Sequence, residues 1–308
     1  MQSPYKRIVV YDLETGGFSC KHNSITEIAM VAIDLETLDI IEETSIMFRP
    51  QLDLSSRLEE PLKQAQDFFK LLKIKDEDSK VNILHYKNHQ ITLKSLEPLI
   101  EDIELFYEFL EGHGDIVTWE DLQELYKDEK LKPIAKLFFD WCYNPQALEV
   151  THISEEMLVE EGIEPKEAFA KVKGFISSHT VGNSKPIMSG HNIGSLPRRI
   201  VKGKEKGPDG FDNPFMEKLF KDNGDDYFDS INELIYDTLK MARIRWSEMP
   251  SYSLGVCANE VGLTLKEAHR ALPDTVANAK FLIKMLKNLR GEGGQASKYK
   301  RRKFKFNF

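Results

Sequence analysis

Near its start the chain has an apolar run, Ile8-Val9-Val10-Tyr11, that ends in Asp12-Leu13-Glu14-Thr15-Gly16-Gly17. β-Branched residues favour a strand, and successive side chains of a strand lie on opposite faces. Asp12 and Glu14 are therefore predicted on one face at the end of that strand. Two carboxylates so close raise each other's pKa unless a cation lies between them, which favours a divalent metal with oxygen ligands. The alternative for an isolated acid pair is a solvated strand end.

The composition is that of a water-soluble globular protein. Hydrophobic residues make up 41% of the 308 residues and charged residues 30%, and no apolar run is long enough to predict a membrane span. Residues 1–7 do not form a signal peptide, so we expect a cytoplasmic protein. The three cysteines, Cys20, Cys142 and Cys257, are far apart in the sequence, which argues against a disulfide framework or a zinc site.

The pattern of residues predicts a divided α/β domain. Two β-like segments, residues 25–34 and 40–48, follow the first strand and predict a three-strand antiparallel meander. Residues 51–150 instead repeat apolar residues at helical spacing and carry a net charge of −9. From residue 151 the α/β pattern returns. We therefore expect one domain from residues 1–50 and 151–290, a mostly helical acidic insertion at 51–150, and a disordered basic-aromatic tail at 291–308.

A basic segment follows the predicted central strand at residues 186–192. Between Ile193 and Gly210 the chain carries five cations, which are Arg198, Arg199, Lys202, Lys204 and Lys206. Such a segment either contacts nucleic acid or is a solvated surface excursion. Asp212 follows it at the start of a predicted helix, where a carboxylate either caps backbone amides or binds a metal.

The segment Ala268-His269-Arg270-Ala271-Leu272-Pro273-Asp274 marks another helix start. Proline suits the first turn of a helix, so we predict that the last helix begins at Pro273. His269 then lies on the preceding loop and Asp274 in the first turn. This arrangement suits a histidine that transfers protons and an aspartate that holds a metal. The alternative is a surface histidine and an aspartate favoured by the helix dipole.

Taken together, these segments resemble the DEDDh branch of the DnaQ-like 3′-to-5′ exonuclease superfamily. The family motif D-x-E-T-x-G is matched by Asp12 to Gly17, and H-x-x-x-x-D by His269 and Asp274. The resemblance covers residues 6–50 and 151–290. Supporting matches in family order are Glu27-Ile28, Thr151-His152-Ile153-Ser154, Asp237-Thr238-Leu239 with Ala242-Arg243, and Tyr252-Ser253-Leu254.

The middle family motif, H-N-x-x-F-D, is interrupted. After His191-Asn192 the expected positions hold Ser195 and Leu196, neither of which offers a carboxylate. We expect that the basic segment splits the motif and that Phe211-Asp212 completes it. Asp209 is the rival for the third carboxylate, but it lacks the preceding phenylalanine and the following helix.

The resemblance implies a ribonuclease H-like mixed sheet flanked by helices and two-metal-ion hydrolysis of phosphodiesters. It implies that Asp12, Glu14, Asp212 and Asp274 hold two Mg²⁺ or Mn²⁺ ions, with Asp12 between them, and that His269 deprotonates the attacking water. Substrate contacts are expected from the first motif, the split motif and the basic segment. These residues are Leu13, Thr15, Gly16, His191, Asn192, Phe211, Arg198, Arg199 and Lys202.

The expected substrate is the 3′ end of single-stranded DNA, with RNA trimming as the alternative and an inactive fold that binds proteins as a second alternative. The tail at 295–308 interleaves cations with four aromatic residues. It is either a solvated terminus, a tether for single strands, or a peptide that docks on a replication protein. The insertion at 51–150 is a second candidate contact for such a protein.

Overall fold

The structure, a computed structural model, describes residues 4–21, 23–53, 84–86, 89–91, 116–129, 131–202, 204–263 and 270–292. The predictions for His269 and for the tail at 295–308 lie outside these residues. The chain divides into two compact units. The first consists of Met1–Cys20, Ile25–Arg49 and Gln146–Phe308, and the second of Lys21–Ser24 and Pro50–Pro145.

The predicted meander opens the first unit. Its strands are β1 (Arg7–Thr15), β2 (Ile25–Asp34) and β3 (Ile40–Met47). β2 pairs antiparallel with both neighbours, and its register places Ala29 opposite Asp12 and Glu27 opposite Glu14. The acid pair is therefore at the end of a strand that has a neighbour along its whole length.

In the second unit the described residues form two small sheets and two helices. β4 (Leu52–Asp53) pairs with β7 (Ile116–Val117), and β5 (Leu84–Tyr86) pairs with β6 (His89–Ile91). The helices are α1 (Trp119–Lys127), which Thr118 and Asp121 cap reciprocally, and α2 (Lys132–Cys142). Most of residues 54–115 lie outside the described part, so the mostly helical character of the insertion stays a prediction.

The rest of the first unit alternates helices and strands. Its helices and strands, in chain order, are α3 (Pro145–Thr151), α4 (Glu155–Glu160), α5 (Pro165–Ser178), β8 (Ile187–Gly190), β9 (Arg199–Val201), β10 (Lys204–Lys206), α6 (Asp212–Asp222), α7 (Tyr227–Ser230), β11 (Ile235–Asp237), α8 (Thr238–Arg245), α9 (Leu254–Glu260) and α10 (Ala271–Leu289). α10 begins two residues before Pro273 because proline, which lacks an amide hydrogen, is tolerated throughout the first turn.

β8 and β11 join the meander in a five-stranded mixed sheet, in the order β11-β8-β1-β2-β3. β8 pairs parallel with both β1 and β11, whereas the meander is antiparallel. The carboxyl ends of β1, β8 and β11 therefore meet at one edge of the sheet, where the acids of β1 also lie.

The predicted alternation of β1 is confirmed by its packing. Val9, Tyr11 and Leu13 belong to a core cluster that includes residues of α5 and α6. Ile8 and Val10 belong to a cluster on the opposite face, together with Ala279 and Leu282 of α10. Asp12 and Glu14 follow Ile8 and Val10 in this alternation and so lie on the face that α10 covers. No helix in the described ranges is long and apolar enough to cross a bilayer.

Candidate metal centre

Three carboxylates meet at the end of β1. Asp12 and Glu14 are half-buried on the α10 face, and Asp274 lies in the first turn of α10. One oxygen from each of the three lies within 4.8 Å of the others. Carboxylate oxygens at such separations are the hard ligands that Mg²⁺ and Mn²⁺ prefer.

The pKa values of these carboxyl groups are shifted upwards. Burial raises the pKa of Asp12 most, and the negative charge of Asp212 adds more than those of Glu14 and Asp274. Burial and the charge of Asp274 raise the pKa of Glu14 to about 8. A set of partly buried acids that repel one another is stabilised by a bound cation, which is the expected electrostatic property of a metal site.

Asp212 is a fourth acid, outside this group of three, whose charge acts on Asp12. It is buried, it is the first residue of α6, and its Oδ1 accepts a hydrogen bond from the Leu13 amide at 3.2 Å. Burial raises its pKa to about 7, opposed by that hydrogen bond. The neighbouring Asn213 is fixed to β1 as well, because the Tyr11 hydroxyl donates to its Oδ1 at 2.6 Å. These contacts hold the start of α6 against β1, close enough for the charge of Asp212 to act on Asp12.

Asp209, the rival carboxylate, has different partners. It accepts hydrogen bonds from the amides of Ser195 and Leu196 and from Lys240 Nζ, at 2.8, 2.6 and 2.5 Å. Its oxygens are thus engaged at the base of the basic segment, whereas Asp212 is the carboxylate whose charge acts on Asp12.

An ion pair between a buried carboxylate and a partly exposed arginine supports the helix that carries Asp274. Glu27 of β2 is 3% exposed and accepts hydrogen bonds from Arg270 Nε at 3.1 Å, from the Ala271 amide at 3.3 Å and from Ser45 Oγ at 2.6 Å. Ala271 is the first residue of α10, so Glu27 ties β2 to the end of the helix that offers Asp274 to the site.

Replacing Glu27 with alanine is expected to lower the free energy of unfolding by about 1–3 kcal/mol, because three donors lose the buried carboxylate that accepts their hydrogen bonds. Urea unfolding measures this loss. Glu43→Ala, an exposed change on β3, is the matched control and should stay within about 0.5 kcal/mol of the parent. Equal stabilities for the two variants would contradict this role of Glu27.

Both ring nitrogens of His191, the first residue of the split motif, lie within hydrogen-bonding distance of other residues of the protein. Its Nε2 lies 2.8 Å from the Tyr252 carbonyl oxygen and its Nδ1 3.0 Å from Thr238 Oγ1. Burial lowers its pKa, so the ring is neutral near pH 7. Asn192 is exposed with φ at +71°, and its amide donates to Asp237 at 3.2 Å. Of these two side chains, that of Asn192 is the exposed one.

The other predicted contact residues of the first motif are largely buried. The Leu13 side chain lies in the core, and the Thr15 hydroxyl donates to the Gly17 carbonyl at 2.7 Å. Gly16 is buried beside them. Any substrate contact from this turn therefore involves mainly its backbone.

An exposed aromatic pair lies beside the turn. Phe18 is 93% exposed, and its ring meets that of the predicted contact residue Phe211 edge-on, with centroids 6.3 Å apart. Phe211 in turn packs against Phe215 at 5.4 Å. Phe18 was not among the predicted contact residues, although an aromatic residue directly after the Gly16-Gly17 pair is a usable signal.

The basic segment folds as a β-hairpin. β9 and β10 pair antiparallel, and Lys202 lies in the turn between them with φ at +52°. Arg198 and Lys202, two of its predicted contact residues, are exposed, and Arg199 begins β9. Neither this regular structure nor the ion pair at its base, Lys240 with Asp209, was predicted from the sequence.

Known proteins with similar sequences are polymerases far longer than this chain. No family model matches the chain. It is 28% identical over 165 residues to a DNA polymerase III of PolC type from Bacillus cereus, covering 50% of this chain and 10% of the polymerase. The corresponding protein of Staphylococcus saprophyticus is 28% identical over 144 residues, covering 47% of this chain and 8% of the polymerase.

Similar solved structures are exonuclease I proteins. E. coli exonuclease I bound to single-stranded DNA and zinc superposes with a TM-score of 0.51 at 15% identity, covering 93% of this chain and 41% of that chain. Exonuclease I of Methylocaldum szegediense gives 0.50 at 14% identity, covering 93% and 41%. The chain thus spans less than half the length of these proteins. The predicted α/β fold, a ribonuclease H-like mixed sheet with helices, is confirmed.

Proposed function

We propose that this chain is a metal-dependent 3′-to-5′ exonuclease that removes nucleotides from the ends of single-stranded DNA. The observation that carries the proposal is the meeting of Asp12, Glu14 and Asp274, with oxygens within 4.8 Å, next to the buried Asp212. The likeness in fold to exonuclease I, one structure of which holds a dT13 oligonucleotide, supports DNA as the substrate. The PolC-type relatives are DNA polymerases, in agreement with that choice.

The donor set fits divalent cations. All four groups are carboxylates, and burial together with their mutual repulsion raises the pKa of Asp12 and Glu14. Two bound Mg²⁺ or Mn²⁺ ions supply an activated water and charge stabilisation for the leaving 3′-oxygen. Asp12, flanked by Glu14, Asp212 and Asp274, is the proposed shared ligand.

The surrounding residues have separate proposed roles. His269, which directly precedes Arg270 in the chain, is the proposed general base, because an imidazole titrates near working pH. The exposed ring of Phe18, beside Phe211, offers a flat surface on which the terminal base stacks. The backbone of Leu13, Thr15 and Gly16 approaches the terminal nucleotide. The exposed side-chain amide of Asn192 contacts that nucleotide, and His191 holds the loop that carries Asn192 in place.

The proposed domain arrangement is a split nuclease domain, residues 1–50 and 151–290, with an insertion at 51–150. The basic-aromatic tail, residues 295–308, is proposed as a tether for single strands. Its deletion is expected to weaken single-strand binding and flatten the salt dependence of that binding. A replication protein is the proposed partner of the insertion or of the tail, and the cytoplasm the proposed location.

RNA trimming is the second candidate, because phosphate contacts carry no information on the sugar and none of the proposed groups reads a 2′-hydroxyl. A third possibility is an inactive nuclease fold that binds other proteins. The four acids argue against that possibility, since an inactive fold has no need to keep repelling carboxylates buried together.

The test uses single-stranded DNA and RNA of one sequence, each labelled at either end. We expect that 5′-labelled DNA shortens stepwise, that 3′-labelled DNA releases a labelled mononucleotide at once, and that EDTA stops both. Faster loss of RNA would select the RNA alternative. Release of a labelled mononucleotide from the 5′ end before the strand shortens, or no metal-dependent cleavage of either polymer, would contradict the proposal.

A further inference from the structure

The basic hairpin is joined to the fold at a pair of glycines. Gly194 and Gly210 both have positive φ, +97° and +86°. A Cβ on Gly210 would lie 2.2 Å from the Gly194 nitrogen, and one on Gly194 would lie 1.8 Å from the Asp209 carbonyl oxygen. Only glycine permits both this conformation and this approach. The chain therefore leaves the fold and returns to it at nearly the same point.

The backbone segments before and after the hairpin are hydrogen-bonded to each other. The Phe211 amide donates to the Asn192 carbonyl at 2.9 Å, and the Asn213 amide donates to the Ile193 carbonyl at 3.3 Å. Without residues 195–210 the sequence would read His191-Asn192-Ile193-Gly194-Phe211-Asp212. That order has the spacing of H-N-x-x-F-D. The hairpin is thus an insert that leaves Asp212 where an uninterrupted motif would place it.

A polar cluster of Lys240, Asp209 and Ser195, here called the Lys240 clasp, joins the two ends of the hairpin. Lys240 Nζ donates to Asp209 Oδ2 at 2.5 Å and to Ser195 Oγ at 2.6 Å. Asp209 also accepts from the amides of Ser195 and Leu196, and its own amide donates to the Leu196 carbonyl at 3.1 Å. The clasp fixes the direction in which the hairpin leaves the domain.

The charge of the hairpin is opposite to that of the whole chain. Arg198, Lys202, Lys204 and Lys206 are exposed, whereas the chain has a net charge of −8. The hairpin leaves the fold at the residues that precede Asp212, so its base lies close to that carboxylate. A basic arm beside a phosphodiester-cleaving site fits a polyanionic strand.

We propose that residues 195–210 form an inserted arm that grips the phosphate backbone of the substrate strand, away from the nucleotide being removed. The proposal rests on the proposed nuclease function and deepens it. The arm contributes binding of long strands, and the salt dependence of that binding reports how many phosphates it contacts. The hydrogen bonds of Lys240 to Asp209 and Ser195 hold the base of the arm in place.

The first test is the variant Lys202→Gln, Lys204→Gln, Lys206→Gln. Anisotropy of a labelled single strand in EDTA measures binding without hydrolysis, so it remains informative even if no hydrolysis occurs. Log affinity falls with log salt concentration, and loss of three phosphate contacts is expected to make this negative slope shallower by about 2. The matched control changes three exposed lysines outside the arm, Lys166, Lys171 and Lys221, to glutamine and should leave the slope unchanged. Equal slopes in both variants would overturn the proposal.

The second test deletes residues 195–210 and joins Gly194 to Phe211. We expect cooperative unfolding, because the bonds across the joint remain. We also expect the ratio of activity on a long single strand to activity on a p-nitrophenyl ester of a nucleoside 5′-monophosphate to fall at least tenfold. An unfolded deletion variant would show that the hairpin is not an insert. Parallel loss on both substrates would show that it acts in the hydrolytic step. No activity of the parent chain on either substrate would count against the proposed function, not against the arm.

Discussion

Asp212→Asn is expected to lower the rate of metal-dependent nucleotide release by about three orders of magnitude or more, because metal catalysis contributes several kcal/mol to transition-state stabilisation. The amide keeps the hydrogen bond from Leu13 but loses the charge that holds a cation. Single-turnover release of labelled 3′ nucleotides measures this change.

Asp209→Asn is the matched control, since the two carboxylates are three residues apart and differ in their partners. We expect it to weaken the clasp with Lys240 and to lower affinity for long strands, with a far smaller effect on the rate of hydrolysis. The opposite ranking, with Asp209→Asn inactive and Asp212→Asn active, would move the third metal ligand to Asp209.

Without bound metal, the free energy of unfolding is expected to depend on pH. The pKa of Glu14 is raised from 4.5 to about 8, and that of Asp212 from 3.8 to about 7. At pH values between the ordinary and the raised pKa of each group, the folded state therefore binds more protons than the unfolded state. The free energy of unfolding therefore falls as pH rises through this window, and the stabilisation that protonated carboxyls provide at low pH is lost. A divalent cation takes over the role of the protons, so stabilisation by Mg²⁺ should be largest above about pH 8.

Thermal unfolding in EDTA and in Mg²⁺ across this pH range tests the expectation. A difference of 1 kcal/mol corresponds to roughly 2–4 °C in melting temperature for a domain of this size. Asp12→Asn, which removes one repelling charge, should be more stable than the parent in EDTA at high pH and gain less from Mg²⁺. A melting temperature that rises with pH in EDTA would contradict the electrostatic description of the site.

The sequence was sufficient for the parts of the site that depend on local rules. The period-two alternation of β1 places Asp12 and Glu14 on one face, and the proline rule places Asp274 in the first turn of α10. Both follow from backbone geometry over a few residues, which is why short segments predict them.

Other parts of the site depend on contacts between distant segments. Glu27 and Arg270 are 243 residues apart, and Lys240 and Asp209 are 31 apart, so neither pair has a local signature. The hairpin was expected only as a basic segment, because β9 and β10 are three residues each and too short for a clear alternation. Its closure at Gly194 and Gly210 depends on a close backbone approach that composition does not reveal.

We propose that acids from β1, α6 and α10 form one metal site. Electron paramagnetic resonance of Mn²⁺ during titration measures binding to the parent chain, to Asp12→Asn, and to the exposed control Asp39→Asn. Saturable binding should persist in the control and weaken at least tenfold in Asp12→Asn, since one lost carboxylate costs more than 1.4 kcal/mol in such a site. Superimposable Mn²⁺ isotherms for all three proteins would mean that these carboxylates do not act together.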